Sequence, residues 1–169
     1  MATLAERMQG AAMLNVATYE EVEHDHTATG QAATVVAIAA VAQAIGSIGR
    51  GGPGIVAALV GQLLGWAIWA GLTYFIGTRV FRGTADWGEL LRTLGFSQAP
   101  GVFFVLGFIP LFGGLVSLAV TIWTAIAGVI AVRQALDVTT GQAVATVLIA
   151  LIPLMIAGAL IGRLFGVGI

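Results

Sequence analysis

IVAALVGQLLGWAIWAGLTYFIG, residues Ile55–Gly77, decides the fold class. It is a run of about 23 residues without a charge, long enough as a helix to exceed the roughly 30 Å hydrocarbon core of a bilayer. Gly-Arg-Gly-Gly-Pro-Gly at 49–54 precedes it, and no helix runs through that composition. Arg79 and Arg82 close its other end. The rest of the chain agrees with a membrane span. Its 169 residues are 59% hydrophobic and 9% charged, with a mean hydropathy of +1.00. A soluble domain carries about 25% charged residues. This composition excludes a soluble globular domain and a disordered chain, and the lack of cysteine excludes a disulfide scaffold. A net charge of −1 gives nucleic acid no basic field to follow, so no nucleic-acid partner is expected.

Working outward, Asp25 and Arg50 bracket about 24 uncharged residues with an apolar centre at Ala32–Ile48, near the lower limit of one span. Arg92 and Arg133 bracket about 40, which at 1.5 Å per residue is two core thicknesses. Pro110 and Gly113-Gly114 sit near the middle and mark a turn. That predicts a hairpin of Pro100–Phe112 and Leu115–Val132, whose short first helix leaves a full crossing open. Gly141–Gly162 makes a fifth span, kinked at Pro153. The reading is an all-α polytopic bundle of about five transmembrane helices, near 32–48, 55–77, 100–112, 115–132 and 141–162. A polar amphipathic segment, 1–30, comes before a transmembrane domain, 31–169. The polar start has no basic stretch followed at once by an apolar one, so the first span is expected to stay as an anchor.

Arginine orients this arrangement. Arg7, Arg79, Arg82, Arg92 and Arg133 fall on the N-terminal side of the five spans, and Arg50 and Arg163 on the other. The positive-inside rule then predicts a cytoplasmic N-terminus and 77–86 loop, with the 49–54 loop and the C-terminus outside. All eight carboxylates also fall on the N-terminal side. Thr3-x-x-Glu6 and Thr18-x-x-Glu21 read as capping boxes, so one or two short helices are expected in the first 25 residues. In Thr84–Leu94, the residues Trp87, Leu90, Leu91 and Leu94 make one apolar stripe. That predicts an interfacial helix with Asp86, Glu89 and Arg92 facing away.

Few residues offer chemistry. Glu20, Glu21, Glu23, His24, Asp25 and His26 form the one dense polar cluster. Glu20 and His24 are four apart, a spacing that can share a metal, but the cluster lacks a zinc or calcium ligand pattern and reads as a solvated acidic patch. The interiors of the spans contain no Asp, Glu, Lys, Arg or His, which argues against a pump and leaves no nucleophile–base pair. No catalytic residue, metal or cofactor is therefore expected. Gln43, Gln62, Ser117, Thr121, Thr124 and Thr146 are the buried-polar candidates, each expected to bond to a neighbouring helix or to its own backbone. Gly61-x-x-x-Gly65 and Gly158-x-x-x-Gly162 are helix-packing candidates, within one chain or between copies. Arg133 and Asp137 are four apart and can bridge, and Thr139-x-x-Gln142 caps the helix that follows.

Leu91-Arg-Thr-Leu-Gly-Phe-Ser-Gln-Ala-Pro-Gly101, Gly-Phe-Ile-Pro at 107–110 and Arg133-Gln-Ala-Leu-Asp137 together resemble the Yip1 family, over about Leu14 to Ile161. The resemblance implies a short cytoplasmic N-terminus and about five spans, the third entered through Gly95, Phe96 and Pro100. Eukaryotic members associate with Rab GTPases and carry an Asp-Leu-Tyr-Gly-Pro motif, which does not occur in this sequence. Arginine without lysine, amid abundant Ala and Gly, suggests a bacterial source and so a plasma (inner) membrane. Two functions are then open. One is a non-enzymatic scaffold, adaptor or membrane-organising subunit, with Glu20, Glu23, Asp86, Glu89, Arg92, Arg133 and Asp137 on its cytoplasmic interaction face. The alternative is a small transporter or channel subunit. Expected partners are the lipid bilayer and another membrane protein or a second copy.

Overall fold

The computed structural model describes residues 2–48, 51–52 and 54–164, and of 157–164 only the helical backbone. Seven α-helices follow one another: α1 Leu4–Ala12, α2 Val16–His24, α3 Thr29–Gly46, α4 Ile55–Val80, α5 Trp87–Phe96, α6 Gly113–Leu136 and α7 Thr140–Leu164. Two 3-10 segments, His26–Ala28 and Ala99–Phe108, complete the architecture, and no strand occurs among the described residues. Among the residues described with their side chains, three helical stretches are long and apolar enough to cross a membrane: His26–Gly46, α4 and α6. The all-helical membrane fold expected from the sequence is the fold observed.

The third expected span differs in kind. Ala99–Phe108 is a 3-10 helix of ten residues, not an α-helix over 100–112. At about 2.0 Å per residue it extends some 20 Å, where an α-helix would reach about 15 Å. The extra rise has a structural use. A Cβ at Gly95 would lie 2.7 Å from Ala32, one at Gly101 would lie 2.8 Å from Ala39, and one at Gly46 would fall on the carbonyl oxygen of Phe104. Ala32, Ala39 and Gly46 are seven apart and share a face of α3. The end of α5 and the stretched helix therefore run parallel to α3 over its apolar length, at near backbone contact. The following turn occupies Ile109–Phe112, with Leu111 at φ 68°. Gly113 and Gly114, expected in that turn, already belong to the first turn of α6.

One end of the bundle holds all eight carboxylates and the other is bare of them. At the bare end Ile48 lies beside both the 51–55 stretch and the Phe108–Gly114 turn. The charged end gathers α1, α2, the start of α3, α5 and the α6–α7 corner. Ala11, Tyr19 and Val22 from the N-terminal helices share one buried cluster with Leu90, Phe96, Val132 and Leu136. The Tyr19 hydroxyl donates to the Ala11 carbonyl at 3.0 Å, and Trp123 Nε1 donates to the Ala12 carbonyl at 2.7 Å. Thr3 and Glu6 cap α1 reciprocally, as their spacing predicts. The second predicted box fails. Leu14, at φ 61°, turns the chain early, Asn15 becomes the N-cap of α2, and Thr18 stands inside the helix.

Much of α4 faces outward, with Val56, Val60, Leu64, Ile68 and Phe75 exposed. Among the described residues nothing lies within 4 Å of a Cβ placed at Gly61 or Gly65, although Gly65 lines a hollow with Trp66, Trp69 and Leu154. Packing at Gly158 and Gly162 lies outside the described residues. Gly61→Ala with Gly65→Ala should thus stabilise a monomer, by about 1 kcal/mol per site from helix propensity alone. Melting in detergent across a range of protein concentrations checks this. A destabilisation that grows with concentration would instead place the stripe between two copies.

Candidate functional site

The site is built around the C-terminal turn of α2, whose last carbonyls have no partner within their own helix. Arg92 on α5 supplies one. Its Nε donates to the carbonyls of Val22 at 3.1 Å and Glu23 at 2.9 Å, and its Nη2 also reaches the Glu23 carbonyl. Arg92 is only 3% exposed. This corrects the expectation that it faces away with Asp86 and Glu89. The reason is the charge-assisted bond a guanidinium makes to the negative end of a helix on another element. Asp86 and Glu89 do sit at the start of α5, in a reciprocal capping box with bonds of 2.7 and 2.8 Å. Leu90 and Leu94 of the stripe are buried, Leu91 is half-buried, and Trp87 is exposed.

Further clamps join α2 to its surroundings. Arg7, buried, ion-pairs with Glu21 at 2.8 Å and Asp25 at 2.6 Å and donates to Gln31 at 2.9 Å. Sequence reading missed this role, although Glu21 and Asp25 at i and i+4 present two carboxylates to one cation. Gln134 Nε2 donates to Glu20 at 3.0 Å, and Arg133 Nε donates to Gln134 Oε1 at 3.0 Å. The predicted Arg133–Asp137 bridge does not form. Asp137 ends α6 in the left-handed conformation, at φ 52°, which breaks the helical register, and its carboxylate accepts from Thr84 at 2.9 Å. The Thr139–Gln142 capping box forms as predicted.

These contacts border a hollow of about 690 Å³, open to solvent, lined by Ala17, Glu20, Glu21, Glu23, His24, Asp25, Gln134 and Asp137. The acidic cluster is only partly the solvated patch expected. Glu20, Glu21 and His24 are exposed, but Glu23 is 7% exposed. Burial pushes the Glu23 carboxyl up to about 7; His24 opposes that rise, and Glu89, Asp137 and Glu20 add to it. Asp25 is held down to about 2, first by Thr27 and then by Arg7. His24 is raised, chiefly by its hydrogen bond to the Glu20 carbonyl and then by Glu23. Among the described residues, no three His, Asp or Glu side chains are placed to hold one metal ion.

The raised Glu23 makes a pH prediction. An acid with a higher pKa folded than unfolded stabilises fully below its unfolded pKa, here near 4.5. That contribution fades as pH climbs through the folded value, about 7. Melting temperature should therefore fall between pH 5 and pH 8, and Glu23→Gln should flatten that part of the profile. An unchanged slope in the variant would assign the effect to another group.

At membrane level the polar side chains close on their own helices. Ser117, Thr121 and Thr146 each donate to the carbonyl four residues back at 2.8 Å. Thr124, expected to bond to a neighbouring helix or to its own backbone, has no partner among the described residues, nor has Thr73, which the sequence did not single out. Gln43 is exposed, and Gln62 lines a hollow of about 190 Å³ with Trp66, Trp69 and Gln98.

The family model of the Yip1 domain matches residues 15–162. The chain belongs to the Yip1 family. No curated protein and no solved structure matches it. The Yip1 match begins at Asn15, the N-cap of α2, so α2 and its acidic turn lie within the family domain. The Yip1-like block from Leu91 to Gly101 is also the most continuously buried stretch of the chain, from Arg92 to Ser97 and from Ala99 to Gly101. It combines the arginine that holds α2 with the glycines that let α5 and the 3-10 helix approach α3.

Proposed function

We propose that this Yip1-family membrane protein is a non-enzymatic scaffold or adaptor of a bacterial plasma (inner) membrane, acting through the charged end of its bundle on the cytoplasmic side. The observation that carries the reading is the convergence of all eight carboxylates on the elements of one end. There α2 is held in place by Arg7, Arg92 and Gln134. A fixed, charged surface beside an apolar bundle suits recognition of an aqueous partner, since complementary charge steers and selects. The lack of Asp, Glu, Lys, Arg and His in the interiors of the spans supports a passive role over transport.

Cross-linking in intact membranes, followed by capture in mild detergent, tests the adaptor reading beside a liposome flux assay. Recovery of a defined partner without solute flux supports it. Solute flux with no partner would favour a transporter subunit instead. Reporter fusions at Gly52 and Ile169 test the orientation, and both should report the non-cytoplasmic side.

A further inference from the structure

Five carboxylates line the hollow at the end of α2: Glu20, Glu21, Glu23, Asp25 and Asp137. The ion pairs among the described residues both come from Arg7 and take up Glu21 and Asp25. Glu20 and Asp137 have neutral donors only, from Gln134 and Thr84. Glu23 differs from all of these. It is more than nine-tenths buried, lines the hollow, and its carboxylate makes no hydrogen bond or ion pair among the described residues. Arg92 stands near but is occupied by backbone carbonyls. With its stem buried and its oxygens opening onto the hollow, the unpaired carboxylate is disfavoured unless a proton or a cation neutralises it.

A single metal ion does not fit, because no three acidic or imidazole groups are placed to hold one. The hollow, about 690 Å³, is also many times the roughly 30 Å³ share of a water molecule. Its size is that of an organic ligand site. Its anions are spread along α2 and the α6 end, which matches an extended cation with an alkyl stem.

We propose that this hollow docks a guanidinium or alkylammonium side chain from a basic segment of a protein partner, with Glu23 as the principal anion and Glu20 and Asp137 flanking it. The source of the cation rests on the adaptor reading; the chemistry rests on the hollow alone. Charge-assisted contacts of this kind are among the stronger hydrogen bonds. The groups around Glu23 are Glu20 and His24 on α2, Glu89 on α5, Asp137 at the end of α6, and Arg92 through the Glu23 carbonyl. Lower pH neutralises Glu23 and charges His24, so both changes weaken cation binding.

The test uses the full chain in nanodiscs and calorimetry with three probes: an acetylated, amidated Arg-Gly-Arg-Arg peptide, spermidine and Mg²⁺. The peptide should bind. Glu23→Gln should weaken it about tenfold, the loss of one charge-assisted contact. Glu20→Gln with Asp137→Asn should weaken it further, while Glu6→Gln, outside the hollow, should not. Asparagine tolerates the left-handed cap and glutamine retains the α1 capping box, so these variants keep the fold. Peptide affinity should also drop from pH 8 to pH 6 in the wild type, and less in Glu23→Gln. Peptide binding unaffected by Glu23→Gln, or tighter binding of Mg²⁺, would overturn the proposal. Spermidine bound more tightly than the peptide would overturn the protein source. Capture of a membrane partner undiminished by Glu23→Gln would overturn the hollow as the docking site and leave the adaptor reading intact.

Discussion

Gly46→Ala should cost about 3 kcal/mol or more, and Gly46→Leu should leave little folded protein in the membrane. Gly46 ends α3 with its backbone against the Phe104 carbonyl, and an added Cβ would coincide with that oxygen. Backbone cannot swing aside as a side chain can. The 3-10 helix would have to move as a unit, and with it Gly101 against Ala39 and Gly95 against Ala32. Helix propensity alone argues the other way, favouring alanine by about 1 kcal/mol. Overpacking wins because the total stability of a domain is only about 5–15 kcal/mol and this contact anchors one end of a shared seam. Gly30→Ala, on the same helix but with nothing within 4 Å of its Cβ, separates the two effects. It should be neutral or stabilising by up to about 1 kcal/mol. Equal melting temperatures for the Gly46 and Gly30 variants would show that the seam yields.

The seam also marks what the sequence could and could not tell. Span positions follow from charge spacing, because each charge in the hydrocarbon core is costly, and the helices fall where the uncharged runs put them. Hydropathy says nothing about helix type. That Ala99–Phe108 winds as a 3-10 helix depends on matching the rise of α3, a tertiary constraint absent from any local window. The glycines show the same limit. Gly61 and Gly65 have the recognisable spacing yet leave open space at their Cβ positions among the described residues, while Gly46, Gly95 and Gly101 lack that spacing and make the close contacts. At the charged end, local motifs were legible wherever the partner was local, as at Thr3–Glu6 and Thr139–Gln142. The Asp86–Glu89 box has the same readable spacing. Arg92 failed the local reading because its partners lie about 70 positions earlier, on the end of another helix. Glu23 failed for the same reason, since its burial is set by how α2 is docked.

Arg92→Glu should prevent folding, and Arg92→Ala should cost roughly 3 kcal/mol or more, because each unsatisfied buried carbonyl costs about 1–3 kcal/mol. Truncation to alanine leaves the Val22 and Glu23 carbonyls facing protein with no donor. Reversal to glutamate does worse, bringing a second carboxylate toward Glu23, where burial already disfavours the first. Arg92→Lys should recover only part of the loss. An ammonium on a flexible stem is a point donor, whereas the guanidinium bridges two carbonyls with a planar fork. Glu89→Lys provides the comparison on the same helix. It removes one half of a surface capping box and should cost about 1 kcal/mol. The consequence is directional: α2 should detach before the membrane helices do. Hydrogen exchange should therefore show amides in 16–24 losing protection in Arg92→Ala while α4 and α6 keep theirs. Uniform loss of protection would mean that Arg92 supports the whole bundle, and an unchanged pattern would mean that Tyr19, Val22, Arg7 and Gln134 hold α2 without it.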